Sequence, residues 1–387
     1  MLSLVALALF LGMTLWFSAT AAAPAIAAEF GITGDGLPWL TMAVQGGFVA
    51  GTLVSAVLNA ADVVNARRLF ALGCLAGAIA NAAIPVAPSA WAIVALRAAT
   101  GAALAFVYPP GLKIAAGWFL ERRGTALGIV VGALTLGSGF PHLLAWAASD
   151  IPWRGLLWIS SVLALAGGAI VALLVRDGPH VSASAPFDPR AVGHVLANRG
   201  VRLATLGYLG HMWELYAMWA WIPAFAAASI AAAGGATAQR AADHSLVAFI
   251  AIASGAVGCV MAGRSADAWG KARIAGAAMV VSGSCALVSG LAFGRPLPVL
   301  LLLAVCWGFS IVADSAQFSA LVSEYSPRTH VGTALTLQIC LGFLLTMVSM
   351  RLLPIVASAA GWQWAFLALV PGPILGALAM RRLAAGL

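Results

Sequence analysis

The chain has 387 residues, of which 63% are hydrophobic and only 8% charged, and its formal net charge at pH 7 is +8. A soluble domain cannot cover so much apolar surface, so the composition predicts a membrane protein. The basic residues form no single stripe, which excludes a nucleic-acid footprint and favours contact with anionic lipid.

The chain contains twelve apolar runs of about the 20 residues that a membrane-spanning helix requires. In chain order they are 4–28, 37–60, 69–87, 90–118, 124–147, 153–175, 200–222, 244–263, 274–293, 297–322, 332–354 and 362–380. They predict an all-α membrane protein with twelve transmembrane helices. The segment 226–243, rich in Ala and Gly, is predicted to be an outer loop.

The distribution of basic residues predicts the orientation. Fourteen of the 20 Lys and Arg fall on the side of the termini, and only Arg154, Arg240, Arg295 and Arg351 fall on the other. The positive-inside rule then places both termini in the cytoplasm, as in a bacterial-type inner membrane. Residues 1–28 contain no Lys or Arg, so an uncleaved first helix is favoured over a signal peptide.

Three matches at nearly one spacing predict an internal duplication. Residues 124–127 return almost unchanged as residues 332–335, Trp153 returns as Trp362, and Asp62 returns as Asp267. The offsets are 208, 209 and 205 residues, so the chain reads as one unit repeated in the same direction. We expect a six-helix bundle over 1–176, a polar linker over 177–199 and a second bundle over 200–387. Two similar halves that rock about a central site suit a secondary transporter.

The loop between the eighth and ninth runs carries a recognisable motif, Gly263-Arg-Ser-Ala-Asp267-Ala-Trp-Gly270-Lys271-Ala-Arg273. This segment resembles the cytoplasmic loop signature of the major facilitator superfamily. Its first copy, 58–68, keeps Asp62 and Arg67 but has Leu58 and Asn65 in place of the glycines. Arg97-Ala-Ala-Thr-Gly101 resembles the Arg signature of the fourth helix. The resemblance implies that this fold operates by alternating access, and it assigns gating roles to Asp62, Arg67, Gly263, Asp267, Gly270, Lys271 and Arg273.

Ionisable residues inside the apolar runs are the candidates for proton coupling, because such groups are costly in a membrane and usually face a cavity. His211 and Glu214 are three residues apart and share one helical face, and Asp314 lies within the tenth run. We predict that these three residues exchange protons and that Arg97 tunes a carboxylate. The alternatives are a hydrogen bond within one helix for the first two and an ion pair that fixes helix packing for Asp314.

The fourth run must bend at Pro109-Pro110, and transporters place binding sites at such interruptions. Lys113 follows this bend and is predicted to meet an anion, unless it extends toward the cytoplasmic surface. Gln45 belongs to a polar stripe on the second run that lines either an aqueous cavity or a hydrogen-bonded seam. The predicted substrate-binding residues are Lys113, Tyr108, Gln45, Trp16, Trp213, Trp307 and Gln317.

Enzyme functions find no support in the sequence, which has no P-loop, HExxH or GxSxG motif. The five cysteines lie in apolar runs without a CxxC pair, so we expect no disulfide, metal or cofactor. The expected partners of a monomer are a small-molecule substrate, protons and membrane lipid. Residues 108–124 resemble the anion-porter side of the superfamily, which includes cyanate, nitrate and organic-acid carriers. This favours transport of a small organic anion, with proton-driven efflux of amphipathic drug-like compounds second and a non-transporting receptor third.

Overall fold

The computed structural model describes residues 1–119, 123–180, 187–234 and 242–386, except for the side chains of Asp35, Ala61, Asp62 and Arg123. Within these ranges the chain forms helices and turns and no strand. The predicted all-α membrane fold is therefore confirmed. The chain divides into two compact units, Met1–Ser184 and Ala185–Leu387, and the division falls within the predicted linker.

Unit 1 contains ten described α-helices. They are α1 (Leu2–Met13), α2 (Ser18–Ala21), α3 (Ala23–Phe30), α4 (Trp39–Val57), α5 (Ala60–Val63), α6 (Ala66–Ala83), α7 (Ala90–Leu104), α8 (Tyr108–Ala116), α9 (Arg123–Ala147) and α10 (Trp153–Leu174). The first apolar run is thus divided into three short helices. The fourth run is interrupted at 105–107, just before the Pro109-Pro110 pair. Two successive prolines lack the two N–H groups that would continue the preceding helix, and both fit the first turn of a new one.

Unit 2 contains nine described α-helices. They are α11 (Val192–Ala197), α12 (Arg199–Ala232), α13 (Asp243–Trp269), α14 (Lys271–Ala292), α15 (Leu297–Ala313), α16 (Ser315–Tyr325), α17 (Val331–Ala360), α18 (Trp362–Ala365) and α19 (Pro371–Ala384). In the described part of the whole chain, eleven helical stretches are long and apolar enough to cross a membrane. These eleven stretches correspond to the second to twelfth predicted runs. The first predicted run is divided, and its longest helix, Leu2–Met13, is shorter than a full span.

Two predicted loops are partly helical. Helix α12 continues to Ala232, so the predicted outer loop 226–243 is helical over its first seven residues. Helix α13 continues to Trp269, so residues 263–269 belong to a helix and not to a loop. Ala-rich sequence extends α12, and α13 ends only at Gly270, whose φ of 87° is a conformation that favours glycine.

The duplication recurs in the packing inside each unit. A Cβ atom added to Gly101 would lie 2.0 Å from the carbonyl oxygen of Val44, and one added to Gly308 would lie 1.7 Å from that of Ala251. Both residues of the second pair follow those of the first by 207 positions, within the range of offsets seen in the sequence. Glycine therefore permits the same close backbone contact between α4 and α7 as between α13 and α15. The contacts of Gly51 with Ala102 and of Gly258 with Phe309 follow the same offset.

Candidate functional site

Among its described residues, unit 2 buries two carboxyl groups and one imidazole. His211 and Glu214 lie on α12, and Asp314 lies between α15 and α16; each residue is only 1% exposed. The predicted shared face of the first two residues is present, and the fold adds the third from about 100 positions along the chain. We call His211, Glu214 and Asp314 the acidic cluster.

Glu214 accepts a hydrogen bond at each carboxylate oxygen. The indole Nε1 of Trp307, on α15, donates to Oε1 at 2.7 Å, and the hydroxyl of Ser282, on α14, donates to Oε2 at 2.8 Å. Trp307, predicted to contact substrate, is thus a fully buried partner of this carboxylate. Three helices meet at Glu214, so its hydrogen bonds hold the side chain in one place.

His211 and Asp314 lie against each other in the interior of unit 2. The imidazole Nδ1 lies 2.7 Å from Oδ1 of Asp314, although the two groups are not aligned as in a hydrogen bond. The rings of Tyr208 and Phe318 lie 6.1 and 5.5 Å from the imidazole, centre to centre. Asp314 follows the last residue of α15 and precedes α16, so the tenth apolar run is interrupted at this residue. Gln317, a predicted substrate residue, is buried one turn further on.

The acidic cluster contains one more acid than base. With His211 protonated and both carboxylates ionised its net charge is −1, and it is neutral when two protons are shared among the three groups. The charges of Glu214 and Asp314 are close enough to interact. Since an uncompensated charge is expensive in an apolar interior, the cluster is suited to binding and releasing protons.

Arg97, the fourth predicted coupling residue, is fully buried in unit 1. Its Nε donates to the carbonyl of Leu40 at 3.1 Å, its Nη1 to that of Leu15 at 3.0 Å, and its Nη2 to that of Trp16. Leu15 and Trp16 lie in the interruption between α1 and α2, where helical carbonyls lose their usual partners. The contacts that the structure describes for Arg97 are thus to carbonyl and hydroxyl oxygens, not to a carboxylate.

A buried polar network continues from this arginine. Arg97 Nη1 lies 3.4 Å from the hydroxyl of Ser18, which donates to Oδ1 of Asn81 at 2.7 Å. The Asn81 amide donates to the carbonyl of Leu157 and to the hydroxyl of Ser161. Asn81 was missed in the sequence because a single Asn within an apolar run has no helical-face partner that would single it out.

The predicted polar stripe on α4 divides into two parts. Thr41 shares a hydrogen bond of 2.8 Å with Thr20, which is the expected seam between helices. Gln45 is fully buried, and neither of its amide atoms has a hydrogen-bond partner in the described part of the chain. A buried amide in this condition is costly, which is the property expected of a group that meets a ligand. Trp16, which lies between α1 and α2, packs against Phe48 of α4, and the centres of the two rings are 5.1 Å apart.

The other predicted substrate residues are dispersed. Trp213 donates its indole N–H to the carbonyl of Ala368 at 3.0 Å, so it joins α12 to the segment before α19. Tyr108 and Lys113 are both half-buried on α8. Gln338 on α17, which sequence reasoning missed, resembles Gln45: it is fully buried, with no described partner for either amide atom.

The first gating segment contains an ion pair that the sequence did not reveal. Arg67 donates to both carboxylate oxygens of Asp177 at 2.9 Å and to the carbonyl of Val175 at 2.8 Å. Asn65 caps α6 and also donates to Asp177. The hydrogen bonds from Arg67 hold the pKa of Asp177 below its usual range. Asp62 lies in α5, and its side chain is outside the described residues.

The second gating segment has a different arrangement. Asp267 is exposed in the last turn of α13, Gly263 is buried in the same helix, and Arg273 is exposed on α14. Lys271 forms an ion pair with Glu324 at the end of α16. Each loop signature thus includes a basic residue that pairs with an acid from outside the signature, within its own unit.

Duplicated helical units and buried ionisable residues are features expected of a membrane transport protein. A family model described as Major Facilitator Superfamily matches residues 5–239, and the chain belongs to this superfamily. It is therefore a transporter of the secondary type and not an enzyme.

Two solved structures share the fold along the whole chain. The human organic anion transporter MFSD10 (TETRAN) has a TM-score of 0.68 and 17% identity, with 98% of each chain covered. The nucleoside transporter NupG, solved as a point mutant, has a TM-score of 0.74 and 14% identity, with 99% of each chain covered. No protein with curated annotation matches the chain.

Proposed function

We propose that the chain is a proton-coupled transporter that moves a small organic anion across the inner membrane, with both termini in the cytoplasm. The acidic cluster is the observation that carries the proposal. His211, Glu214 and Asp314 are enclosed within one unit, and their net charge changes with the protons they hold. Ionisable groups at such sites are costly to bury and are characteristic of proton relays in membranes.

The partners of the carboxylates favour a proton over a metal cation as the coupling ion. Glu214 receives an indole N–H and a hydroxyl, and Asp314 faces an imidazole nitrogen. Hard cations require several oxygen ligands around one point, whereas here an indole N–H and a hydroxyl already donate to the two oxygens of Glu214, and an imidazole nitrogen faces Asp314. In the described residues no group of three or more His, Cys, Asp or Glu is arranged to hold a metal ion.

The charge of Arg97 supports an anionic substrate. This side chain is fully buried and its described partners are neutral oxygens, so its positive charge raises the potential in unit 1. Lys113 adds a second positive charge after the interruption of the fourth run. MFSD10 is an organic anion transporter and NupG a nucleoside transporter. Because one fold serves both kinds of substrate, the proposal of an anionic substrate rests on the charges of this chain and not on its similarity to these two structures.

Efflux of an amphipathic, drug-like cation is the second candidate. It is favoured by the aromatic rings that surround the acids, with Tyr208 and Phe318 beside His211 and Trp307 beside Glu214. Two carboxylates among aromatic faces are suited to a cation with an apolar body. The sign of the substrate's charge distinguishes this candidate from the first.

A thermal-shift screen identifies the substrate class, because a ligand that binds only the folded state raises the melting temperature. We expect small carboxylates, and not cationic drugs, to raise it. With the best anion, Lys113→Gln weakens binding by about 1.5–3 kcal/mol, the value of a hydrogen bond to a charged group. If Lys113→Gln has no effect and Asp314→Asn abolishes binding of a cation, the chain is an exporter of cations.

Transport in proteoliposomes tests the energy source. Glu214→Gln and Asp314→Asn each remove a proton-binding acid with little change in volume. We expect both variants to lose accumulation driven by a pH gradient while they retain exchange of substrate for substrate. Wild-type accumulation in both variants rejects proton coupling through the acidic cluster.

A further inference from the structure

The two hydrogen bonds of Glu214 differ in what they permit. An indole nitrogen can only donate, so Oε1, which lies 2.7 Å from Nε1 of Trp307, remains an acceptor in every protonation state. In a neutral carboxyl group the carbonyl oxygen is a better acceptor than the hydroxyl oxygen, so the indole favours Oε2 over Oε1 as the site of a proton that binds to Glu214. Trp307 is fully buried and its ring packs edge-on against Phe366 with the centroids 5.0 Å apart, so the indole is held in this orientation.

Ser282 faces Oε2 and has two acceptors within reach. Its hydroxyl oxygen lies 2.8 Å from Oε2 of Glu214 and 3.3 Å from the carbonyl oxygen of Met279 on its own helix. A hydroxyl has one hydrogen and also accepts, so it can donate to only one of these oxygens at a time. Ser282 is 1% exposed, and bulk water does not compete for the hydroxyl.

These distances allow two fully satisfied arrangements. When Glu214 is ionised, Ser282 donates to Oε2. When a proton binds to Oε2, the new O–H donates to the Ser282 oxygen, and the Ser282 hydrogen turns to the Met279 carbonyl. Ser282 keeps a hydrogen bond to Glu214 throughout, and neither of these two side chains is left without a partner in either state, which avoids the cost of an unsatisfied group.

We propose that Ser282 is a positioning residue for proton binding, a hydroxyl that turns between Glu214 and Met279 as Glu214 gains and loses its proton. The inference rests on the proposed proton coupling and assigns it a specific atom, Oε2. It also gives Trp307 a defined function: this indole favours Oε2 over Oε1 as the site of the proton. In this proposal Ser282 acts only through Glu214.

The other titratable groups near Glu214 do not duplicate this function. His211 lies on the same helix and pairs with Asp314, and Cys285 of α14 interacts with Glu214 and with Cys306 of α15. Helices α13, α16 and α19 carry their described charged residues in or near their end turns. On α17, Arg351 follows Met350, whose carbonyl accepts a hydrogen bond from the indole of Trp221. Trp221 lies about two turns from Glu214 along α12.

Infrared difference spectra between acidic and alkaline buffer test the proposal on the purified full-length protein. The carbonyl band of protonated Glu214 is identified by its absence in Glu214→Gln. Loss of the acceptor in Ser282→Ala moves this band to higher wavenumber, and it raises the pH at half-maximal band intensity by about one unit, equal to about 1.4 kcal/mol for one hydrogen bond to a charged group. Ser282→Thr, which keeps the hydroxyl, retains the wild-type band.

Ser289→Ala is the matched control. Ser289 is equally buried on the same helix, but its hydroxyl donates to the carbonyl of Ala286 and has no described contact with an acid. This variant should show the wild-type band and midpoint. If Ser282→Ala leaves the Glu214 band unchanged, the role of Ser282 is rejected while proton binding stands. If no band disappears in Glu214→Gln, the proposed coupling through Glu214 is itself rejected.

Discussion

Arg97 supplies donors to an interrupted helix. Its guanidinium contacts the carbonyls of Leu15, Trp16 and Leu40 and the hydroxyl of Ser18, so one side chain joins α7 to α4 and to the interruption after α1. The planar fork of arginine can serve several acceptors together, whereas the ammonium of lysine is a single point charge. Arg97 therefore stabilises unit 1, in addition to the contribution that its positive charge makes to the electrostatic potential there.

We expect Arg97→Lys to lower the free energy of unfolding by about 2–5 kcal/mol, because at least two buried carbonyls lose their donor. Arg273→Lys, at an exposed position on α14, is the control and should change stability by less than about 0.5 kcal/mol. Thermal and denaturant unfolding in detergent measure the difference. Unchanged stability of Arg97→Lys, with loss of proton coupling, would assign Arg97 to coupling alone.

The sequence identifies some residues of the site and conceals their partners for physical reasons. His211 and Glu214 are visible because a helix places residues three apart on one face, and Asp314 is visible because an acid within an apolar run is rare. Ser282 gives no such signal, since a serine in a membrane helix commonly bonds to its own backbone, as Ser284 does to Val280. Its contact with Glu214 depends on how α12 and α14 pack, which residue spacing does not encode.

At the scale of the helix, the interruptions divide into two kinds. The break before Tyr108 follows from local chemistry, because the adjacent prolines at 109 and 110 remove two successive backbone donors, whereas the single prolines within α9, α12 and α17 are accommodated. The breaks at residues 14–17 and at Asp314 contain no proline or glycine and were not predicted. Tertiary contacts accompany them: Arg97 binds the carbonyls of the first, and His211 pairs with the side chain at the second.

The glycine contacts between paired helices provide a test at this scale. Gly308→Ala places a methyl group 1.7 Å from the backbone oxygen of Ala251, and backbone cannot move aside as a side chain does. We expect a loss of about 1–3 kcal/mol in unfolding free energy from overpacking, and a similar loss for Gly101→Ala. Gly193→Ala on α11, where an added Cβ meets nothing within 4 Å, should be neutral or slightly stabilising. Equal melting temperatures for Gly308→Ala and Gly193→Ala would show that α13 and α15 separate readily.

At the scale of the whole molecule, two exposed carboxylates make stability depend on pH. Glu29 accepts hydrogen bonds from Arg154 and Trp153, and Asp177 accepts them from Arg67 and Asn65. These donors, chiefly Arg154 and Arg67, hold the pKa of each carboxyl below its usual range. The unfolded chain therefore binds these protons more readily, and the stabilisation is complete above the ordinary carboxyl range and lost as pH falls through the lowered values.

We expect acid to lower the melting temperature of the wild-type protein more than that of the double variant Glu29→Gln/Asp177→Asn, and the two to converge in strong acid. Solvent screens both pairs, so the difference is small. Melting curves from neutral to acidic pH, at low and at high salt, measure it. A larger acid response in the double variant would contradict the assignment.

The orientation of the chain is a prediction from its charges and is open to a direct test. The positive-inside rule predicts that the linker lies in the cytoplasm and the turn between α9 and α10 outside. His194, on α11, and Asp150, before α10, are both exposed, so each can carry a cysteine in a background without the native cysteines. A membrane-impermeant maleimide should label Asp150→Cys on intact cells, and His194→Cys only after permeabilisation, because reagent outside the cell cannot cross to the linker. The reverse pattern would place both termini outside and require the basic loops to have been translocated, against the cost that the positive-inside rule expresses.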